Sequence, residues 1–409
     1  MDNKKITTGC CIVGGGPAGM MLGFQLARAG IDVTVLEKWP DFFRDFRGDT
    51  IHPSTTEILF ELGILKKFLA LPHDKLHQIT AEVGSEKITF ADFSHLKVHC
   101  PFIAFIPQWD FLNFIAHEAA QYPNFHLMMK TEGTDLIQEN GKTIGVHARD
   151  DQTHYDIMAD LVVGADGRHS MVREKSELPL KTLSAPMDVL WFRLSRCAAD
   201  PSSSLGRIDL GRMMVMLQRG DYWQCGFLIR KGDYQTMHLA GIEKLRQDIL
   251  DIVPSLKDRI HEIASWDQVK FLSVTVDRLQ KWYQSGLICI GDAAHAMSPI
   301  GGVGINLAIQ DSVAAANILI PAFLNHSLNK NDLNAIQKRR EFPTKMIQGM
   351  QVFIQDRVID RVLGGQRHPT LPFPLKCLQW FPILRRIPAY LIGMGVRREH
   401  VEAISNTDV

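Results

Sequence analysis

The chain has 409 residues, 45% of them hydrophobic and 22% charged, and its 45 Lys plus Arg balance 45 Asp plus Glu. That length accommodates two or three domains, and the balanced charge excludes a global field that would draw in nucleic acid or an acidic membrane. The 7 cysteines form no C-x-x-C pair and share no ligand spacing with histidine, so neither a disulfide framework nor a metal site is expected, and a cytoplasmic setting fits.

In chain order, the first apolar run is Cys10–Val13. It is too short for a secretory signal, and no run of about 18 uninterrupted apolar residues follows anywhere. It reads as a buried strand ending at Gly14, and Gly14-Gly15-Gly16-Pro17-Ala18-Gly19 then opens a helix. This G-x-G-x-x-G arrangement suits a dinucleotide: Gly14 for the turn, Gly16 for approach of a pyrophosphate, Gly19 for helix–strand packing. The next strand, Ile31–Leu36, ends at Glu37, followed by Lys38. A carboxylate there accepts ribose hydroxyls, which leaves NAD and FAD both open.

Leu76–Val83 and Lys87–Phe93 flank the turn Gly84-Ser85-Glu86 and read as a hairpin. A helix is expected over Gln108–Ala120. The apolar run Leu161–Val163 stops at Gly164-Ala165-Asp166-Gly167, with Arg168, Ser170 and Arg173 following. Pro186–Arg196, Arg212–Gln218, Tyr222–Arg230 and Val269–Val276 read as strands of a mostly antiparallel sheet. Leu287–Ile290 is a third apolar run ending at glycine, in Gly291-Asp292-Ala293-Ala294-His295, and Pro299 and Gly301–Asn306 lead into a helix over Gly304–Ile320. A second helix is expected over Asn331–Leu363, kinked near Pro343. The last piece, Leu371–Val396, is apolar but broken by prolines and carries Lys376, Arg385 and Arg386. It reads as a helical lid or dimer face, or as a membrane-surface anchor.

Three strands that each end at glycine suggest one ligand beyond their carboxyl ends, as in open α/β sheets. The three motifs in this order resemble the group A flavin monooxygenases, the para-hydroxybenzoate hydroxylase-like family, over residues 10 to 320. The resemblance implies non-covalent FAD and an α/β fold: a Rossmann-like FAD-binding domain, an inserted mostly antiparallel sheet for substrate, and a C-terminal helical segment. The corresponding boundaries are 1–72, 101–180 and 281–360 for FAD, 73–100 and 181–280 for substrate, and 361–409 for the helices. It also implies cofactor contacts at Gly14, Gly16, Pro17, Ala18, Gly19, Glu37, Lys38, Arg47, Gln108, Asp166, Gly167, Asp292, Pro299, Gly302, Val303, Gly304, Ile305 and Asn306. Pro299 is the one candidate beside the reacting flavin; His295 reads as a packed structural histidine.

No second G-x-G-x-x-G follows a strand, so NADH or NADPH is expected as a passing co-substrate. The resemblance implies that O2 then adds at flavin C4a, and the hydroperoxide hydroxylates an aromatic, heteroaromatic or quinone-like molecule. Tyr222, Gln224, Met214 and Met216 are the substrate candidates. Three other readings stay open: a ubiquinone-biosynthesis-like hydroxylase at the membrane surface, a geranylgeranyl-reductase-like enzyme that uses no O2, and a flavin-binding sensor.

Overall fold

The computed structural model describes residues 3–43, 50–183, 185–197, 200, 205–209, 211–365 and 373–402. Its centre is an eight-stranded sheet in which Lys4–Val13 lies between Val33–Glu37 and His154–Gly164, with Leu287–Cys289 beyond the latter and Phe125–Met129 beyond the former. All of these pairings are parallel. Val13 pairs with Gly164, and Gly164 with Cys289. The three glycine-ended strands are therefore neighbours, and their carboxyl ends open side by side.

Two of these strands run longer than their apolar cores. Lys4–Thr7 is largely exposed, and His154–Asp160 alternates between buried and more exposed positions. They extend the sheet past the completely buried stretch, where only the cores read as continuous apolar runs. Alongside lies the antiparallel hairpin Glu132–Glu139 and Lys142–Arg149, which the reading above omits. Its turn is Asn140-Gly141, both at positive φ (49° and 73°), the strongest short-range hairpin signal a sequence carries.

A second sheet of seven strands runs in the order Lys270–Leu272, Met187–Ser195, Tyr222–Arg230, Arg212–Arg219, Leu205–Asp209, Gln78–Val83, Glu86–Asp92. It is antiparallel except between Leu205–Asp209 and Gln78–Val83. The expected strand Val269–Val276 divides: Lys270–Leu272 stays in this sheet, and Val276–Leu279 pairs with Leu180–Leu183. Leu76–Val83 divides likewise into Asp74–Leu76 and Gln78–Val83, in different sheets.

The segment Ile300–Leu324, which contains the helix Gly304–Leu324, is long and apolar enough to cross a membrane, but 67% of its most apolar window is buried inside the protein. It is a core helix packed on Pro17–Arg28. Lys330–Ile354 runs through Pro343 without interruption, and the irregularity falls later, in the π-helical turn Gln355–Ile359.

Charge is buried deliberately in this core. Asp311, completely buried on Gly304–Leu324, accepts from His295 Nε2 at 2.5 Å, from Arg340 Nε at 2.9 Å and from the Gly291 amide at 3.1 Å. Arg340 Nη1 donates onward to Glu399 Oε1 at 3.0 Å, and Arg339 to the same carboxylate. Burial alone would raise the Asp311 carboxyl, but the His295 and Arg340 charges and hydrogen bonds outweigh it and hold it below the usual range. Removing Asp311 would leave His295 Nε2 and Arg340 Nε buried without their acceptor. Asp311→Ala should therefore cost about 3–5 kcal/mol, read as a lowered urea midpoint; an unchanged midpoint would show that the network contributes nothing.

Candidate functional site

The site begins where the first strand stops. Gly14 sits at φ +107°, and a Cβ there would lie 2.4 Å from the Ala165 carbonyl oxygen. The glycine is needed for the turn and also because the second loop passes directly beside it. A Cβ at Gly19 would lie 2.0 Å from the Gly14 carbonyl oxygen, so the helix rests on the turn itself. Gly291, at φ +59°, brings the third loop to the same place: a Cβ there would come within 3.1 Å of Ala18 Cβ. Three distant segments meet because each supplies a residue with little or no side chain.

The helix Pro17–Arg28 starts with Gly16 as its N-cap, and no side chain caps it. Its first-turn amides and the helix dipole form a ready cradle for an anion. A Cβ at Gly16 would meet nothing closer than 3.9 Å, so the backbone presents an open face. Glu37 is held beside it, accepting from the Gly15 amide and the Trp39 amide at 3.1 Å each. Lys38 is exposed, its ammonium 5.3 Å from the Trp39 ring centre. Gln108 starts the helix Gln108–Ala119 and is half-buried. Arg47 lies outside the described residues.

The middle loop is organised by Asp166. Its carboxylate accepts from Ser170 Oγ and, at 3.1 Å, from the Val172 amide at the start of Met171–Lys175. Burial raises its pKa. The geometry thus gives the Asp166 side chain a scaffolding task, while Gly167 (φ +83°) keeps open space around it. Arg173 is also turned inward, toward Asp277, the Ala293 carbonyl and the Arg168 carbonyl. Arg168, quoted above only as part of the motif, reaches across to Asp292 at 3.1 Å and to the Met297 carbonyl at 3.1 Å. It ties the second loop to the third.

After Pro299, Gly301 and Gly302 take positive φ (76° and 62°), and a Cβ at Gly302 would strike Thr50 Oγ1 at 2.4 Å. Gly304–Leu324 then begins with no side-chain cap on its N-cap, Val303; Ile305 and Asn306 are buried. The Asn306 side chain is fully engaged. It accepts from the His52 amide and Thr55 Oγ1, both at 2.8 Å, and donates to the Thr50 and Gly302 carbonyls. Its role is to fasten the helix start to the Thr50–Thr55 corner. No group of three His, Cys, Asp or Glu is placed to hold a metal among the described residues.

The seven-stranded sheet has two different faces. Met214, Met216, Trp223, Cys225, Phe227 and Ile229 belong to a core closed by the helix Ile242–Ile252. This corrects the expectation for Met214 and Met216: they point away from the opposite face and pack. On that opposite face Trp191, Met213, Leu228 and Leu272 cluster with Ile300, from the loop after Pro299, and with Ile359 and Leu363 from the end of the later helix. Gly226 makes room for the Trp191 ring, since a Cβ there would come within 3.0 Å of it. Tyr222 and Gln224 share this face but sit further along the strand. Arg193 stacks on Tyr222 at 5.0 Å, and Arg219 donates to Gln224 at 3.1 Å. Strand alternation sorts the residues into two faces, but the helices that pack on them, Ile242–Ile252 on one and Asp360–Gly364 on the other, come from later in the chain.

The arrangement fits a flavin dinucleotide. An open glycine cradle stands at an uncapped helix start, a carboxylate is fixed at the next strand end, and the loop before a second uncapped helix start packs on the second sheet through Ile300. A protein-family profile described as FAD binding domain matches residues 7–349. The 6-methylpretetramide 4-monooxygenase of Streptomyces rimosus is 29% identical over 385 residues, 93% of this chain and 92% of that one. Among solved structures, the p-nitrophenol 4-monooxygenase PnpA of Pseudomonas putida DLL-E4 matches with a TM-score of 0.76 at 17% identity, over 96% of this chain and 100% of that one. PqsL of Pseudomonas aeruginosa, a probable FAD-dependent monooxygenase, matches at 0.73 and 19% identity, over 87% and 97%.

Two expectations follow. Gly14→Val and Gly19→Val place atoms where Ala165 and Gly14 carbonyls already stand, so both variants should purify with most of their flavin missing. Flavin absorbance per protein checks this, and fully yellow variants would remove the cradle from the first loop. The second concerns His52, whose Nδ1 donates to the Ile392 carbonyl at 2.8 Å and whose Nε2 is buried without a partner. Burial lowers its pKa from 6.5 to about 4, against the pull of the Ile392 carbonyl. Between those values the unfolded chain binds a proton that the folded chain refuses, so stability falls as pH drops. The wild-type advantage over His52→Asn should shrink by roughly 3 kcal/mol from pH 7 to pH 4. Urea denaturation measures it, and a pH-independent difference would overturn it.

Proposed function

Because the chain belongs to the FAD-binding-domain family of flavin-dependent monooxygenases, we propose that it uses NADH or NADPH and O2 to hydroxylate an aromatic or quinone-like small molecule. The observation that carries this reading is the meeting of Ile300 with the Trp191, Met213 and Leu228 face of the second sheet. An apolar, aromatic-lined wall stands against the loop that leads into the second uncapped helix.

When bound, FAD supplies hydride acceptance and oxygen activation; the residues position and shield it. Gly14–Gly19 would hold the pyrophosphate and Glu37 the ribose, with Asp292 and the Gly302–Asn306 segment beside the ring system. The amides at the start of Gly304–Leu324 would offer the positive end of a helix dipole to the charge of a reduced ring. Asn306 keeps that helix start in register with the Thr50–Thr55 corner. Trp191, Met213, Leu228, Leu272 and Ile300 exclude water, which supports transfer of oxygen to substrate over its loss to solvent.

Phenols, naphthols and quinols should each be offered to the FAD-loaded protein with NADH or NADPH under 18O2. A true substrate should accelerate nicotinamide oxidation and gain one 18O atom, read by mass spectrometry. Substrate reduction without O2 uptake would identify a reductase, and no stimulation across the panel would leave a flavin-binding protein without this activity.

A further inference from the structure

The helices Phe373–Trp380 and Arg386–Gly393, joined by the turn Pro382–Arg385, lie along the edge strand Glu86–Asp92 of the second sheet. Their inner side is small and closely held. Ala389 is completely buried with Ala91, Phe93, Ile103 and Phe105. A Cβ at Gly393 would meet Phe93 and Leu96, and Gln379 Nε2 donates to the Lys87 carbonyl at 3.2 Å.

The outer side reverses the usual pattern of a helix against a protein core. Phe373, Trp380, Phe381, Ile383, Ile387 and Tyr390 each expose more than half of their surface. In the second helix the small residues Ala389 and Gly393, four apart, face inward, while Ile387 and Tyr390, three apart, face out. So the large apolar groups point away from the protein. The charge is equally one-sided. From Phe373 to Arg398 the chain carries Lys376, Arg385, Arg386, Arg397 and Arg398 and no Asp or Glu, although its charges cancel overall.

We propose that this hairpin docks the protein on an anionic lipid surface. Exposed aromatic and aliphatic side chains would enter the boundary between headgroups and acyl chains, and the surrounding cations would meet lipid phosphates. A second copy of the chain is the poorer occupant. A two-fold contact sets each patch against itself, bringing Lys376, Arg385 and Arg386 of both copies together with no carboxylate in the segment to offset them. A lipid phosphate layer matches both the apolar and the charged part.

The test uses the full-length, FAD-loaded protein floated with phosphatidylcholine vesicles, with and without phosphatidylglycerol. Binding should require phosphatidylglycerol and weaken as salt is raised. The double variants Trp380→Ser/Ile387→Ser and Lys376→Gln/Arg386→Gln should each lose roughly tenfold in bound fraction, with flavin content unchanged. Absence of flotation with either vesicle overturns the proposal, as does equal binding by wild type and variants. So does a wild-type dimer that becomes monomeric in Trp380→Ser/Ile387→Ser, which would assign the face to a second copy.

Discussion

A single buried carboxylate holds the working parts in relation to one another. Asp311 receives the Gly291 amide, so the helix Gly304–Leu324 is fixed to the loop that bears Asp292. Through His295 it fixes the residues after that loop, and through Arg340 it fixes the next helix and, by way of Glu399, the end of the described chain. A hydrophobic contact tolerates sliding; a buried ion set with directional hydrogen bonds does not. The loop leading into that helix packs on the second sheet through Ile300, so its position must be set by something that cannot slide.

The glycine cradle works by the opposite means, through lack of side chains. Gly14 and Gly302 sit where a Cβ would collide with an atom of a distant segment, Gly291 where it would crowd Ala18, and Gly19 where it would strike the Gly14 carbonyl of the same motif. Close approach of chain segments far apart in sequence is thus built from what is missing, and charge then locks the approach. Both devices act on the same few loops, which explains why the motifs are short while the chain they join is long.

That division governs what the sequence makes legible. The glycine motifs and the strands before them are local, so Gly14–Gly19, Glu37 and Gly291-Asp292 are readable without a structure, as is the adjacency of three strand ends. The Asn140-Gly141 hairpin carried an equally local signal and was readable too. Other features depend on partners distant in the chain. Met214 and Met216 alternate as pocket residues would, but Ile242–Ile252 covers their face. Asp166 sits in a cofactor motif, yet its carboxylate is occupied by Ser170 and Val172. His295 was readable as a packed structural histidine and is buried as such, but its partner Asp311 lies on a later helix and only the structure names it.

The parallel pairing of Leu205–Asp209 with Gln78–Val83 has a consequence during synthesis. Thr80 is partnered by Leu205, so the hairpin Gln78–Val83 with Glu86–Asp92 leaves the ribosome long before its neighbour exists. At about 5–20 residues per second the wait is roughly 6–25 s. One margin of the nascent hairpin presents unpaired amides and carbonyls throughout that interval, a template for wrong pairing. The other margin, Glu86–Asp92, waits longer still, because the hairpin that lies along it is among the last parts of the chain to be made. The nascent protein therefore carries its own aggregation risk in the half-built sheet, and the order of synthesis leaves one edge of that sheet uncovered until the last helices emerge.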